Sequence, residues 1–245
     1  MKTIAIHQPY FFPYIGYWQL IHAVDRFVIC DDVNYIKNGW INRNRLLINN
    51  EPAYLTVPLH QGSQNKKICE LDLQSQPDPR DKLAHRIAAA YRKAPHFAEA
   101  YPVIESVIRH EANNLSDYLA HQLQTLSRFM GIATEIGVTS RIYGNNELRG
   151  QDRVIDMCKC EGATTYVNAQ GGQALYDTDA FLEAGIDLRF LIPRPLNYRQ
   201  WDAEFIPNLS IIDVLMFNSK EKILAEFLGS FDLINTGALP GVANT

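Results

Sequence analysis

Residues equipped to do chemistry fall in three short stretches of the chain. The first is "AIHQPYFFPYIGYWQL", residues 5–20, where His7 and Gln8 end an apolar run and Pro9, Pro13 and Gly16 interrupt six aromatic residues. An imidazole titrates near neutrality, so His7 could act as a general base or stabilise developing negative charge. The plain alternative is a polar residue closing off a buried strand, with the prolines shaping the turn. Its place at a strand end favours function.

The second stretch, "DDVNYIKNGWINRNRL", residues 31–46, packs Asp31, Asp32, Tyr35, Lys37, Asn38, Asn42, Arg43, Asn44 and Arg45 into one loop. Carboxylates at a strand end suit a divalent metal ion or a hydroxyl-rich ligand, whereas lysine and arginine suit phosphate or carboxylate. The competing reading is a charged hairpin surface, with Trp40 and Ile41 packed down. In the third stretch, "YVNAQGGQALYD", residues 166–177, a strand ends on Asn168 and Gly171-Gly172 opens the next helix. A glycine pair there lets backbone approach a ligand closely, but it matches neither a GxGxxG turn nor a P-loop.

Other chemistry is absent from the sequence: there is no GxSxG elbow, no HExxH, no kinase set and no Cys–His nucleophile spacing. Cys30, Cys69, Cys158 and Cys160 lack paired CxxC spacing, and a CxC on a helix points its thiols apart. They read as buried or incidental thiols rather than ligands or disulfides. The aromatics Tyr10, Phe11, Phe12, Tyr14, Tyr17, Trp18 and Tyr35 suit stacking on a sugar or base, or the core.

The elements that must position these groups follow from hydrophobic periodicity. Residues 3–6 read as a buried strand, 14–24 as a helix with Ile15, Trp18, Ile21 and His22 on one face, and 26–30 as a second strand. That is a βαβ unit with a parallel sheet and a right-handed crossover. Strands are expected at 53–58 and 66–73, and helices at 80–93, 96–111 and 115–130, the last started by Asn114 and stopped by Gly131. Strand 133–138, helix 149–160 and strands 164–169 and 188–192 come next, then helices at 209–217 and 219–228, with Ser219 and Gly229 bounding the latter. The pattern predicts an α/β fold with a Rossmann-like parallel sheet flanked by helices. A single domain over 1–233 carries a helical subdomain or insertion at about 79–131, and 234–245 is expected to be a flexible tail. In such a sheet ligands bind at the carboxyl ends of strands, where all three stretches lie.

At 245 residues and 47% hydrophobic content the chain can bury a sizeable core. A net charge of −4, from 23 basic and 27 acidic residues, gives no general attraction to nucleic acid or an anionic membrane. An anionic partner must therefore be held by a local cluster. Neither a signal-peptide pattern nor an apolar run of membrane-spanning length is present, which predicts a cytoplasmic protein without a membrane span. Nothing in the composition fixes an oligomeric state.

Four blocks, "IAIHQPYFFPYIGYW", "DDVNYIKNGWINRNRL", "TTYVNAQGG" with "LYD", and "FIPNLSIIDVLMFN", resemble in order the WbqC-like family of bacterial proteins. That family is associated with gene clusters for O-antigen and other surface polysaccharides. The matching positions are His7, Gln8, Pro9, Pro13, Gly16 and Tyr17; Asp31, Asp32, Tyr35, Lys37, Asn38, Asn42, Arg43 and Asn44; Asn168, Gly171, Gly172 and Tyr176; and Leu209, Ser210, Asp213, Met216 and Asn218. A more distant, HUP-like resemblance is to HIGH-type nucleotidylyltransferases, which place a P-x-H-x-G-H motif after the first strand. Here Tyr14 and Tyr17 stand where both histidines would be, and tyrosine cannot supply imidazolium charge. The segment "VTSRIYGNNELR", residues 138–149, is weakly similar to the serine-rich segment of those enzymes.

The resemblance implies a link to surface-glycan or nucleotide-sugar biosynthesis, and within it the expected function is a transferase-type enzyme acting on a phosphorylated or nucleotide-activated sugar. His7, Asp31, Asp32 and Lys37 form the expected catalytic set. Gln8, Tyr14, Tyr17, Tyr35, Asn38, Asn42, Arg43, Asn44, Asn168, Gly171, Gly172 and Tyr176 form the expected substrate-binding set, with a divalent metal ion an option at the aspartates. The alternative is a non-catalytic protein of the same pathway that binds a sugar nucleotide or a partner.

Overall fold

The computed structural model describes residues 1–201 and 204–235. Strand β1 (Thr3–His7) leads through a proline-bounded loop into helix α1 (Ile15–His22) and strand β2 (Arg26–Ile29). An excursion then begins with β3 (Arg43–Ile48) and β4 (Glu51–Thr56). It continues through β5 (Leu59–His60) and β6 (Asp72–Leu73) to helices α2 (Arg80–Tyr91), α3 (Phe97–Ile108) and α4 (Leu115–Met130). The chain returns to the sheet as β7 (Glu135–Gly137), α5 (Gly150–Cys160), β8 (Thr165–Ala169), α6 (Thr178–Glu183) and β9 (Asp187–Pro193). It closes with α7 (Ile211–Phe217), α8 (Lys220–Lys222) and β10 (Phe231–Ile234). The expected tail lies, beyond Asn235, outside the described residues.

The fold is α/β with a mostly parallel central sheet. Its six strands run in the order β10-β9-β8-β1-β2-β7. All pairings are parallel except that of β10 with β9. Numbering the five parallel strands along the chain gives 3-2-1-4-5, the doubly wound order, and its direction of winding reverses between β1 and β8. Successive strand residues alternate sides. Ala5, Phe27, Ile29, Val167 and Leu191 join the cluster that holds α1, the excursion helices and α7. Ile4, Ile6, Val28, Tyr166, Leu188 and Phe190 pack on the other face against Val154 and Met157 of α5 and Phe181 of α6. Because α2, α3 and α4 share their apolar cluster with α1, the excursion is anchored directly to the sheet's own helical layer.

Two local expectations need correction. Residues 31–46 are not loop throughout: Arg43–Ile48 pair with Glu51–Thr56 in a hairpin turned at Asn49-Asn50, both at positive φ (54° and 64°). The polar residues of β3 mask its strand pattern, although Asn44, Leu46 and Leu47 are buried. Of 66–73, only Asp72–Leu73 is a strand, preceded by a 3-10 turn at Ile68–Glu70, and β10 carries no period-two signal at all. The caps behave as their chemistry requires: Asn114 accepts from the Ser116 N–H, Gly131 adopts φ 75°, and Ser219 accepts from the Lys222 N–H.

Candidate functional site

Strand β1 delivers His7 to the switch point between the halves of the sheet. Its ring is half-buried and meets Tyr10 and Tyr17 edge-on, with centroids 5.0 and 5.1 Å away. Nδ1 lies 2.8 Å from the Gln8 carbonyl oxygen, so in the neutral ring Nδ1–H donates and Nε2 carries the lone pair. Nε2 has no hydrogen-bond partner among the described residues. Burial lowers the His7 pKa, with the Gln8 contact opposing it, and the imidazole is neutral near pH 7.

The loop that follows is fixed from several sides. Phe12 sits at φ 40°, a conformation a bulky residue adopts only when its surroundings over-determine it. Its carbonyl accepts from Asn44 Nδ2 (2.9 Å) and Ser210 Oγ (2.8 Å), and its N–H donates to Gln122 Oε1 (3.0 Å). Tyr17 donates to the Gln8 carbonyl and Gln8 Nε2 to the Tyr10 hydroxyl, which ties the first turn of the loop to α1. At Gly16 a Cβ would come within 2.5 Å of the Tyr14 ring, so the ring can lie over the start of α1 only because residue 16 is glycine.

The end of β2 is wired differently. Asp31 is fully buried; its Oδ1 accepts from Thr139 (2.8 Å) and Ser140, and its Oδ2 from Ser116 (2.7 Å) and the Arg141 guanidinium (3.2 Å). Asp32 accepts from Arg153 Nη2 at 2.6 Å and from Ser140. Burial works against its ionisation, but those hydrogen bonds and the Arg153 charge prevail, and its pKa falls below the usual carboxylate value. Every oxygen of the pair already has a protein donor. The pair therefore does not fit a divalent ion, and no group of three or more His, Cys, Asp or Glu that could hold one occurs among the described residues. The segment 138–149 supplies Thr139, Ser140 and Arg141 to this clamp.

At the end of β8, Asn168 is buried and accepts its neighbour's backbone N–H through Oδ1. A Cβ at Gly172 would fall on the Asn168 amide, whereas Gly171 has open space beside it. Together the strand ends border a crevice of about 900 Å³, a size that suits a small-molecule ligand. His7, Gln8, Tyr14, Tyr17, Asp32, Asn168, Gly171, Gly172 and Tyr176 all line it. Lys67, Arg149 and Arg153 line it as well. Arg153 is neutralised by Asp32, which leaves Lys67, with only a 3.4 Å contact to Asn146, and Arg149 as the basic charges facing a ligand.

A family model described as the WbqC-like protein family matches residues 8–225, most of the chain. The chain belongs to the WbqC-like family. It is 31% identical over 222 residues to the uncharacterized protein Rv1507c of Mycobacterium tuberculosis, covering 89% of this chain and 94% of that one. No solved structure gives a significant match. No helix among the described residues of this WbqC-like protein is long and apolar enough to cross a membrane.

Several expected site residues of the WbqC-like chain lie away from the crevice. Asp31 lies behind Asp32 in the clamp, and Lys37 is exposed on a turn that does not border the cavity. Tyr35 donates to Asn42 Oδ1 at 2.7 Å and Asn42 to the Val57 carbonyl, so both brace the loop. Arg43 donates to the Asn38 and Gly39 carbonyls and to Asn38 Oδ1, and stacks 4.3 Å over Tyr54. Asn44 reaches an adjoining hollow while clamping Phe11 and Phe12. Sequence reasoning missed Lys67, Arg149 and Arg153, which come from a polar loop and a helix start without a motif. The one available signal was "LRGQDR", a glycine with flanking arginines just before an apolar helical pattern.

Proposed function

We propose that this WbqC-like protein is a transferase-type enzyme of surface-glycan assembly that acts on a phosphorylated or nucleotide-activated sugar, with His7 as its general base. The observation that carries the proposal is the geometry of His7: Nδ1 is held 2.8 Å from the Gln8 carbonyl and Nε2 is unengaged among the described residues, at the switch point of a doubly wound sheet. Nε2 takes the proton from an acceptor hydroxyl or amine as that group attacks the activated centre, and the leaving phosphate departs with the bonding pair toward Lys67 and Arg149. The Tyr10, Tyr14 and Tyr17 rings supply stacking area for a sugar or base. A lowered His7 pKa suits the base role better than a role as a standing cation.

The expected outcome is a rise in thermal midpoint with a nucleotide sugar over the same nucleotide alone. With such a donor identified, His7→Ala removes turnover and leaves the fold and the midpoint shift in place. Wild-type turnover by His7→Ala on that donor rules out the base. A second reading, a binding protein without turnover, draws on the full engagement of Asp31 and Asp32, which leaves the crevice without a free carboxyl acid. Recovery of the bound nucleotide sugar unchanged, with every acceptor class tried, favours it.

A further inference from the structure

We propose a second ligand subsite beside the crevice, built on Arg45 and Trp40, that takes an anionic sugar bearing a carboxylate or a phosphate. It rests on the transferase reading, in which it is the acceptor's place. The subsite is a hollow of about 560 Å³ that shares Tyr10, Tyr14, Gly16, Trp40, Ala169 and Gly171 with the crevice, whereas Arg45 lines the hollow and not the crevice. One molecule in the crevice and another in the hollow would thus meet over the β1 and β8 strand ends.

The chemistry of the hollow points to an anion. Arg45 carries five N–H donors, yet among the described residues its side chain makes a single hydrogen bond, a 3.3 Å contact from Nη2 to the Asn208 carbonyl. Its Nε is buried and has no partner, an arrangement that in a folded protein calls for an explanation. Among the described residues no carboxylate lines the hollow, so the charge is not neutralised from within it. The guanidinium lies over the Trp40 indole, 5.6 Å from Cζ to the ring centroid, which keeps the charge beside that ring. A planar fork with unengaged donors matches the paired oxygens of a carboxylate or phosphate. Trp40 is 37% exposed, and with Tyr10 and Tyr14 it offers apolar ring faces of the kind that pack on a pyranose. The hydroxyls of a neutral sugar would leave the charge of Arg45 uncompensated.

The test is a tryptophan-fluorescence titration of the full chain with glucuronate, with glucose 1-phosphate and with neutral glucose. At least one anion is expected to change the emission with an affinity about ten-fold or more above that of glucose. Glucuronate alone identifies a carboxylated sugar, and glucose 1-phosphate alone a phosphorylated one. Trp40→Phe removes the ligand-dependent change in emission, because Trp18 is fully buried and Trp201 packs on Phe217 and does not line the hollow. Arg45→Gln abolishes the preference for the anion, and Arg45→Lys, which keeps charge but not the fork, restores part of it. Lys67→Gln with Arg149→Gln keeps the part of the anion response that Arg45→Gln abolishes, which separates this subsite from the basic side of the crevice. Equal binding of glucose and both anions, or full anion affinity in Arg45→Gln, overturns the proposal. His7→Ala binds the anion like the wild type, so failure of the base assignment and failure of this subsite are read in different experiments.

Discussion

The ends of two neighbouring strands of the same sheet, β1 and β2, handle their polar groups in opposite ways. At the end of β2 the Asp31 and Asp32 carboxylates accept from Ser116, Thr139, Ser140, Arg141 and Arg153, and no oxygen is left over. At the end of β1 one nitrogen of His7 is held and the other is unengaged, and at the end of β8 Asn168 uses its oxygen on the backbone while its Nδ2 has no described partner. The first arrangement draws the β7 loop, α4 and α5 onto the sheet. The second leaves donors and acceptors facing a cavity. Density of polar residues therefore marks structure here, and function goes with groups whose hydrogen-bonding capacity the protein itself does not satisfy.

The comparison breaks most visibly at Asp31. Asp31→Ala removes a buried carboxylate and strands the donors gathered round it, for an expected loss of about 3–5 kcal/mol in urea unfolding. A loss below about 1 kcal/mol means the clamp is not structural and returns Asp31 to the list of site residues. On the other side, His7→Gln is expected to lower turnover of a proven donor by about 10²–10⁴-fold. Its stability falls by about 1–2 kcal/mol at most, because the losses are one local hydrogen bond to Gln8 and the edge-on ring contacts with Tyr10 and Tyr17, onto which the glutamine stem still packs. Reversed results, a stable Asp31→Ala and an unfolded His7→Gln, would exchange the roles assigned to the two strand ends.

How much of this the sequence discloses differs between fold and site for a physical reason. Apolar periodicity made β1, α1, β2, α2, α3, α4, α5, β8 and β9 legible, since burial of a face is a local pattern. Strands β3 and β10 were not, because Arg43, Asn44 and Arg45 or Asp232 interrupt that pattern on edges where side chains serve other contacts. The strand-end rule led to His7, Gln8, Asn168 and Gly171. It could not separate Asp32, which reaches the crevice, from Asp31, which points into the clamp, because adjacent residues leave a strand on opposite sides. Lys67 and Arg149 enter the crevice from distant segments, and that is a property of tertiary structure alone.

A smaller effect sharpens the comparison inside one glycine pair. Gly172→Ala drives a methyl into the Asn168 amide and is expected to cost about 1–3 kcal/mol, whereas Gly171→Ala, facing open space, is expected to be nearly neutral for stability. If the ligand's backbone approach is at Gly171, that neutral substitution still weakens the midpoint shift given by a nucleotide sugar. Equal stability of the two variants by thermal unfolding removes the argument for Asn168 packing.

The smallest expected effect is on pH dependence, and it tests His7 alone. Its folded pKa lies below the ordinary value, mainly through burial, so between the two values the unfolded chain binds more protons than the native one. Stability attributable to His7 is then complete above the ordinary histidine pKa and is lost as pH falls toward the lowered one. His22 and His121 are also lowered by burial, and Asp32 by its partners, so the raw pH profile of the protein mixes several groups. Subtracting the profile of His7→Gln isolates the term: wild type should lose more stability than the variant on going from neutral pH into the acid range. The same lowered pKa places the acid limb of kcat/KM below the usual histidine range, with activity rising as pH increases through it. A difference profile of the opposite sign, with wild type gaining on acidification, would mean that His7 is held as a cation, and the base assignment would have to give way to charge stabilisation.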